Sequence, residues 1–314
     1  HMFPSANTAM PRLVEMPDSD RAVEKHQEFL EGVMRVDLFG LKQGGTIGGD
    51  LVAPLGGDII PELVPGEEYL LEAVIRTVKM GHVFTQGTSD SNQVWMELEV
   101  SCGDEVVGVS GAMDADGVVD PWSHFVNSFV IDRDGNRISR RNAQDIFTSL
   151  YNHQIPPGAA DVVHYRFRVP DGCDQPIHIS AVLKYRKFDT TLMRFVKADA
   201  DWVNDLPVTV LAEDDISLPV VGGMPVDNAD ETTPPWMRWN DYGIALFRKG
   251  GAGELRGAED AFTHVESFGR PDGPINLTRV YLKEGRVAED APAALARAAA
   301  MEESPARAWH LLWF

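Results

Sequence analysis

The chain has 314 residues, of which 44% are hydrophobic and 24% charged, a balance that suits one large globular domain or two ordinary ones. Its formal charge of -20 at pH 7 argues against a nucleic-acid partner, whose phosphates would be repelled, and favours a basic partner or simple solubility. No apolar run approaches the roughly 18 residues that a membrane-spanning helix needs, and no basic start followed by an apolar core marks a signal peptide.

Residues 1–66 read as an irregular junction segment with one short helix. That helix is expected in "DRAVEKHQEFLEGV", with Asp20 as its N-cap and Val23, Phe29, Leu30 and Val33 near one face. The following "LKQGGTIGGDLVAPLGGDIIP" reads as a Gly-rich loop. It has neither GxGxxG spacing nor a Lys-Ser/Thr after its glycines, so it is not a phosphate cradle.

Residues 67–220 turn to strand patterns. "YLLEAVIRTVKM", "VWMELEV", "EVVGVSGAM", "HFVNSFVID", "DVVHYRFRV", "IHISAVLKY" and "PVTVLAE" are short, rich in β-branched or aromatic residues, and several alternate apolar with polar. Turn signals such as "DADG" and "DRDGN" separate them, and "RRNAQDIFTSLY" reads as an inserted short helix. The pattern predicts an antiparallel immunoglobulin-like β-sandwich. Asp132, Asp134 and Asn136 have the alternate spacing of a calcium loop, but Arg137 and Ala143 stand where an EF-hand needs Gly and Glu, so both Asp-rich stretches read as hairpin turns.

Residues 221–234 form a linker, and from 235 to 314 the periodicity is helical. Trp239, Gly243, Ala258 and Phe262 follow the Trp…Gly…Ala…Phe order of a tetratricopeptide repeat, a second unit starts at "PDGPINLTRVYLKEG", and a third opens with "SPARAWHLLWF". The fold class is therefore α+β, a sandwich followed by tetratricopeptide-type helices. Trp309, Leu311, Leu312, Trp313 and Phe314 end the chain with no second helix to cover them, which predicts that the natural protein continues beyond this point.

The histidines carry the functional signal. His, any residue, Phe or Ile, Pro or Thr, any residue, Gly or Ala occurs three times, from His1, from His82 in "HVFTQG" and from His153 in "HQIPPG". Pro, Thr and Gly hold such segments extended or turning, so the imidazole projects from a loop. A loop His suits an axial iron ligand, a zinc ligand or a general base; the plainer reading is a strand-end cap. A compact zinc site would want acidic or Cys partners close by, and none flanks these residues. His164 and His178 read as sheet residues, His124 as hydrogen-bonded at a turn, and His26, His264 and His310 as helix surface or packing residues. The two cysteines, Cys102 and Cys173, make no CxxC and no CxxCH; two partly buried thiols are the simpler reading and a disulfide the alternative. No Ser-His-Asp order or carboxylate pair stands out.

"GHVFTQGTSDSNQVWMELEV", "SGAMDADGVVDPWSHFV", "DRDGNRISRRNAQD", "HQIPPGAADVVHYRFRVP" and "LKYRKFD" together resemble the region that follows the haem-binding segment in multihaem c-type cytochromes with tetratricopeptide repeats, and "HMFPSANTAMP" resembles the junction between the two. The resemblance runs from His1 to Phe314. It implies that His82, His153 and His1 are distal ligands to the iron of haem c attached outside this chain, His82 with Phe-Thr where the family has Phe-Pro. It further implies electron transfer, a periplasmic or extracellular bacterial location where Cys102 and Cys173 could pair, the haem-bearing N-terminal region as one partner, and other proteins docked on the repeats. The rival reading is a sandwich and repeat module that binds carbohydrate or peptide without redox chemistry. An enzyme using His82 or His153 as a base ranks third.

Overall fold

The computed structural model describes residues 3–85, 92–229, 232–304 and 307. His1, His310 and the apolar end from 308 to 314 therefore lie outside the described residues.

Helices α1 (Met10–Leu13) and α2 (Ser19–Leu30) come first. Val23, His26 and Leu30 are buried along α2, while Phe29 faces solvent. The N-cap position falls to Asp18 rather than Asp20, which instead pairs with Arg12. Next comes β1 (Met34–Gln43), inside the segment read as irregular. Its signal is hidden because it is buried almost throughout, so it lacks the alternation of a half-exposed strand, and a bulge between Leu38 and Gly40 breaks its period. The strands β2 (Leu51–Val52), β3 (Glu68–Thr77), β4 (Gln93–Cys102), β5 (Glu105–Ser110), β6 (His124–Phe125) and β7 (Ser128–Ile131) follow. The expected helix in "RRNAQDIFTSLY" is only a 3-10 turn at Ala143–Asp145 leading into β8 (Thr148–Asn152), whose Thr, Tyr and Leu favour a strand. The chain continues with β9 (Ala160–Arg168), β10 (Ile177–Arg186), α3 (Thr190–Lys197), capped by the Asp189 carboxylate, and β11 (Val208–Leu218).

These strands form two antiparallel sheets, ordered β2-β1-β3-β9 and β11-β10-β4-β5, with β6 added to β4 and β7 paired with β8 as a separate ribbon. The main core lies between the sheets. Leu38, Leu71, Ala73, Ile75 and Val163 of the first meet Met96, Leu98, Ile179, Ala181 and Leu183 of the second. Cys102 at the end of β4 and Cys173 beyond β9 are joined in a disulfide, their Cα atoms 6.1 Å apart. This corrects the reading of two free thiols: residues far apart in sequence are neighbours because Ile177, just past Cys173, pairs with Cys102.

Four helices follow, α4 (Pro235–Lys249), α5 (Ala252–Ser267), α6 (Asp272–Glu284) and α7 (Asp290–Met301). Gly250, at φ 74°, ends α4, and the short connection to α5 sends the chain back beside it. At Gly243 a Cβ would come within 2.6 Å of the Phe262 ring, so only glycine permits this approach of α4 to α5. Helix α4 also covers the outer face of the first sheet, where Trp239, Tyr242 and Ala245 pack on Phe39, Val74, Ala160 and Val162. Phe39 stacks on Tyr242 at 4.4 Å and meets Trp239 edge-on at 4.9 Å.

Buried charge pins this layer. Arg238 Nη2 lies 2.6 Å from an Asp37 carboxylate oxygen and Arg238 Nη1 donates to the Leu55 carbonyl at 2.5 Å, while Asp241 pairs with Arg35 and with Arg76, the latter at 3.1 Å. Removing one partner strands the other without water. Arg238→Ala is therefore expected to cost about 3–5 kcal/mol in urea unfolding, against at most about 1 kcal/mol for Arg297→Ala, whose pair with Glu266 is partly exposed.

Candidate functional site

The loops that begin at His82 and His153 come together. Phe84 and Ile155, the third residues of the two copies, exchange backbone hydrogen bonds of 3.0 and 2.9 Å in an isolated antiparallel bridge. Both side chains are buried, Phe84 against Tyr185, so the apolar position of the repeated pattern anchors each loop to the sandwich core. The imidazoles stay outside that anchor. His82 is exposed, with Nδ1 3.1 Å from the Val83 carbonyl, an arrangement that places the proton on Nδ1 and the lone pair on Nε2.

His153 is half-buried and its ring is fixed. It stacks on Tyr151 at 4.0 Å and 13°, and its backbone N–H donates to the Asn127 carbonyl at 2.9 Å. Tyr151 in turn donates its hydroxyl to the Phe125 carbonyl at 2.8 Å. His153 Nδ1 points toward Asp161 Oδ2 at 3.7 Å, and His124 Nε2 approaches the same oxygen at 3.7 Å from β6. Neither nitrogen has a hydrogen-bond partner among the described residues. Asp161, buried at the start of edge strand β9, also faces the end of α4, with Lys249 Nζ 3.3 Å from Oδ1 and Arg248 Nη1 3.8 Å from Oδ2. Arg248 is held in place by the backbone carbonyls of Gln154 and Ala160.

The reading of His124 as a turn residue is thus corrected: it lies in a short strand, nine-tenths buried, with an unpartnered nitrogen. Sequence reasoning passed over Asp161, Arg248 and Lys249. A lone acid opening the apolar run "AADVVHY" was the available signal, since an acid buried in a strand demands a partner. The Asp-rich stretches do form turns, with the carboxylates of Asp114 and Asp132 accepting from backbone N–H groups two and four residues on.

A second polar group lies under α4. The carboxylate of Glu72, wholly buried in β3, has Lys42 Nζ at 2.8 Å and His164 Nδ1 at 3.0 Å. Burial alone would raise the Glu72 carboxyl, but His164 and Lys42 outweigh it and hold the group below the usual carboxylate range. Lys42 and His164 line a cleft of about 630 Å³ with Tyr242, Asp260, His264 and Trp239, whose indole stacks on the His264 ring at 4.1 Å.

The sequence matches no protein-family model and no curated protein. Among solved structures it has a weak similarity to the crystal structure of a penta-heme cytochrome c552 from Thermochromatium tepidum, with 14% identity and a TM-score of 0.40, covering 62% of this chain and 41% of that one. Among the described residues no helix is long and apolar enough to cross a membrane.

Burial lowers the His124 imidazole to about 4, with Asp161 opposing and His153, Lys249 and Arg248 assisting. The unfolded chain therefore takes up a proton near pH 6.5 that the folded protein refuses until about 4. The stability linked to His124 is complete above about pH 6.5 and falls by about 3 kcal/mol as pH drops to 4. Urea unfolding of metal-free protein at pH 7 and 4.5 should show the wild type losing about 2–3 kcal/mol more than His124→Asn.

Proposed function

We propose that this chain is the ligand-supplying and partner-docking portion of a multihaem c-type cytochrome, in which His82 and His153 complete the coordination of haem iron attached outside the chain. The observation that carries the reading is the bridge between the two loops: one pair of backbone hydrogen bonds presents two copies of the same His pattern from one rigid anchor. Neutral imidazole with a free nitrogen is what haem iron takes from a protein. His82 offers Nε2 with Nδ1 engaged by a carbonyl, and His153 offers Nε2 with its ring plane set by Tyr151 and its Nδ1 turned to Asp161. His1 is the third imidazole of the pattern. Haem c supplies reversible one-electron chemistry when bound; the residues of this chain bind, orient and shield it.

The finer calls belong to the same reading. The two-sheet core, which takes in β1 and β2 from the segment 1–66 as well as the strands of 67–220, supports an immunoglobulin-like sandwich, and the antiparallel helices with Gly243 seated on Phe262 support tetratricopeptide repeats from 235, joined by a linker at 221–234. The repeats would dock protein partners. A disulfide suits a periplasmic or extracellular location.

A soluble haem c peptide that carries its own proximal His tests the assignment. Adding it to the chain should convert high-spin to low-spin absorption, with each of His82→Ala and His153→Ala removing part of the change and the double variant all but the share of His1. An unaltered spectrum with folded wild-type chain would remove the ligand role. The cleft beside His264 favours a second reading, a binding module without redox chemistry.

A further inference from the structure

We propose that His124, His153 and Asp161 form a binding site for a first-row divalent cation of the zinc class. It does not rest on the haem reading and is exclusive with it at His153, because a neutral imidazole that ligates a metal through Nδ1 carries its proton on Nε2. One ligand atom from each of the three residues lies within 4.8 Å of the others, and His124 Nε2 and His153 Nδ1 are the nitrogens that approach Asp161 Oδ2. Both His–Asp separations are 3.7 Å, too long for hydrogen bonds. They are close to the roughly 3.3 Å between neighbouring donors on a tetrahedral zinc with bonds of about 2.0–2.1 Å. Two nitrogens that a protein would ordinarily satisfy are thus aimed at one carboxylate oxygen with room between them.

The three donors are of the kind that zinc accepts, two imidazoles and a carboxylate, leaving a fourth position for water. They are also held in place. Tyr151 stacks under His153, and the pairing of β6 with β4 sets His124 opposite Met96.

Lys249 and Arg248 are positive charges beside a proposed cation, and they set the expected strength. With one carboxylate against two cations the site should bind more weakly than a closed structural zinc site, and neutralising Lys249 should tighten it. This inverts the usual effect of deleting a residue next to a metal ligand, so a merely structural role does not predict it.

The experiment uses the chain stripped with a chelator and titrated with Co²⁺ and Zn²⁺. Expected are saturable binding, visible cobalt bands of a tetrahedral nitrogen-ligated ion displaced by Zn²⁺, affinity lowered by about 100-fold in His124→Ala and in Asp161→Asn, and affinity raised by roughly tenfold in Lys249→Met. His178→Gln, remote on β10, should match the wild type. Absence of saturable binding by the folded wild type overturns the proposal whatever the variants do. So does binding that His124→Ala and Asp161→Asn leave unchanged, or that Lys249→Met weakens.

Discussion

The buried pairing of Arg238 with Asp37 is the contact on which the arrangement of this protein rests. It joins the first turn of α4 to the middle of β1, and Asp241, one turn later, repeats the device with Arg35 and Arg76. Apolar packing of Trp239 and Tyr242 on Phe39 gives α4 its affinity for the sheet but not its rotation or register. The ion pairs supply those. An arginine forked onto a carboxylate has one good geometry, and a shift of one residue along α4 would leave charge buried without a counterpart. With α4 fixed, Arg248 and Lys249 at its far end fall next to Asp161, and Tyr242 falls over Glu72.

Much of the fold was legible, for reasons that differ by element. Strands β3, β4, β9, β10 and β11 announce themselves by β-branched and aromatic runs bounded by turns. The helical region is legible through Trp239, Gly243, Ala258 and Phe262, whose spacing reflects the seating of Phe262 on a glycine. Strand β1 was hidden because both its faces are covered, one by the opposing sheet and one by α4, so no polar alternation survives. Its neighbour "KQGGTIGG" then made the whole stretch look like loop.

The site was legible only in part, and the division is physical. The pattern at His82 and His153 is local, because its apolar third residue must anchor the loop beside the imidazole. Asp161 on β9 of the first sheet meets His124 on β6 of the second, and Lys249 arrives from the helical layer; nothing in the sequence near any of them encodes the encounter. A buried acid or an unsatisfied nitrogen signals that a partner exists without naming it. The strongly negative chain thus gathers cations inward: Arg35, Arg76, Arg238, Arg248 and Lys42 all work at the seam between sheet and helices.

The disulfide has a topological effect. Cys102 and Cys173 close a covalent ring, and His124, His153 and Asp161 all belong to it, whereas His82 and the helices do not. A protease cut in the exposed strand β8 would leave both fragments tethered, and the three donors would remain parts of one molecule. Reduction would release that tether, so a nicked chain would keep or lose the cluster according to the thiol balance around it. Even in the unfolded chain the ring confines these three residues to a smaller volume than free chain ends would explore, and reassembly starts with fewer arrangements to search.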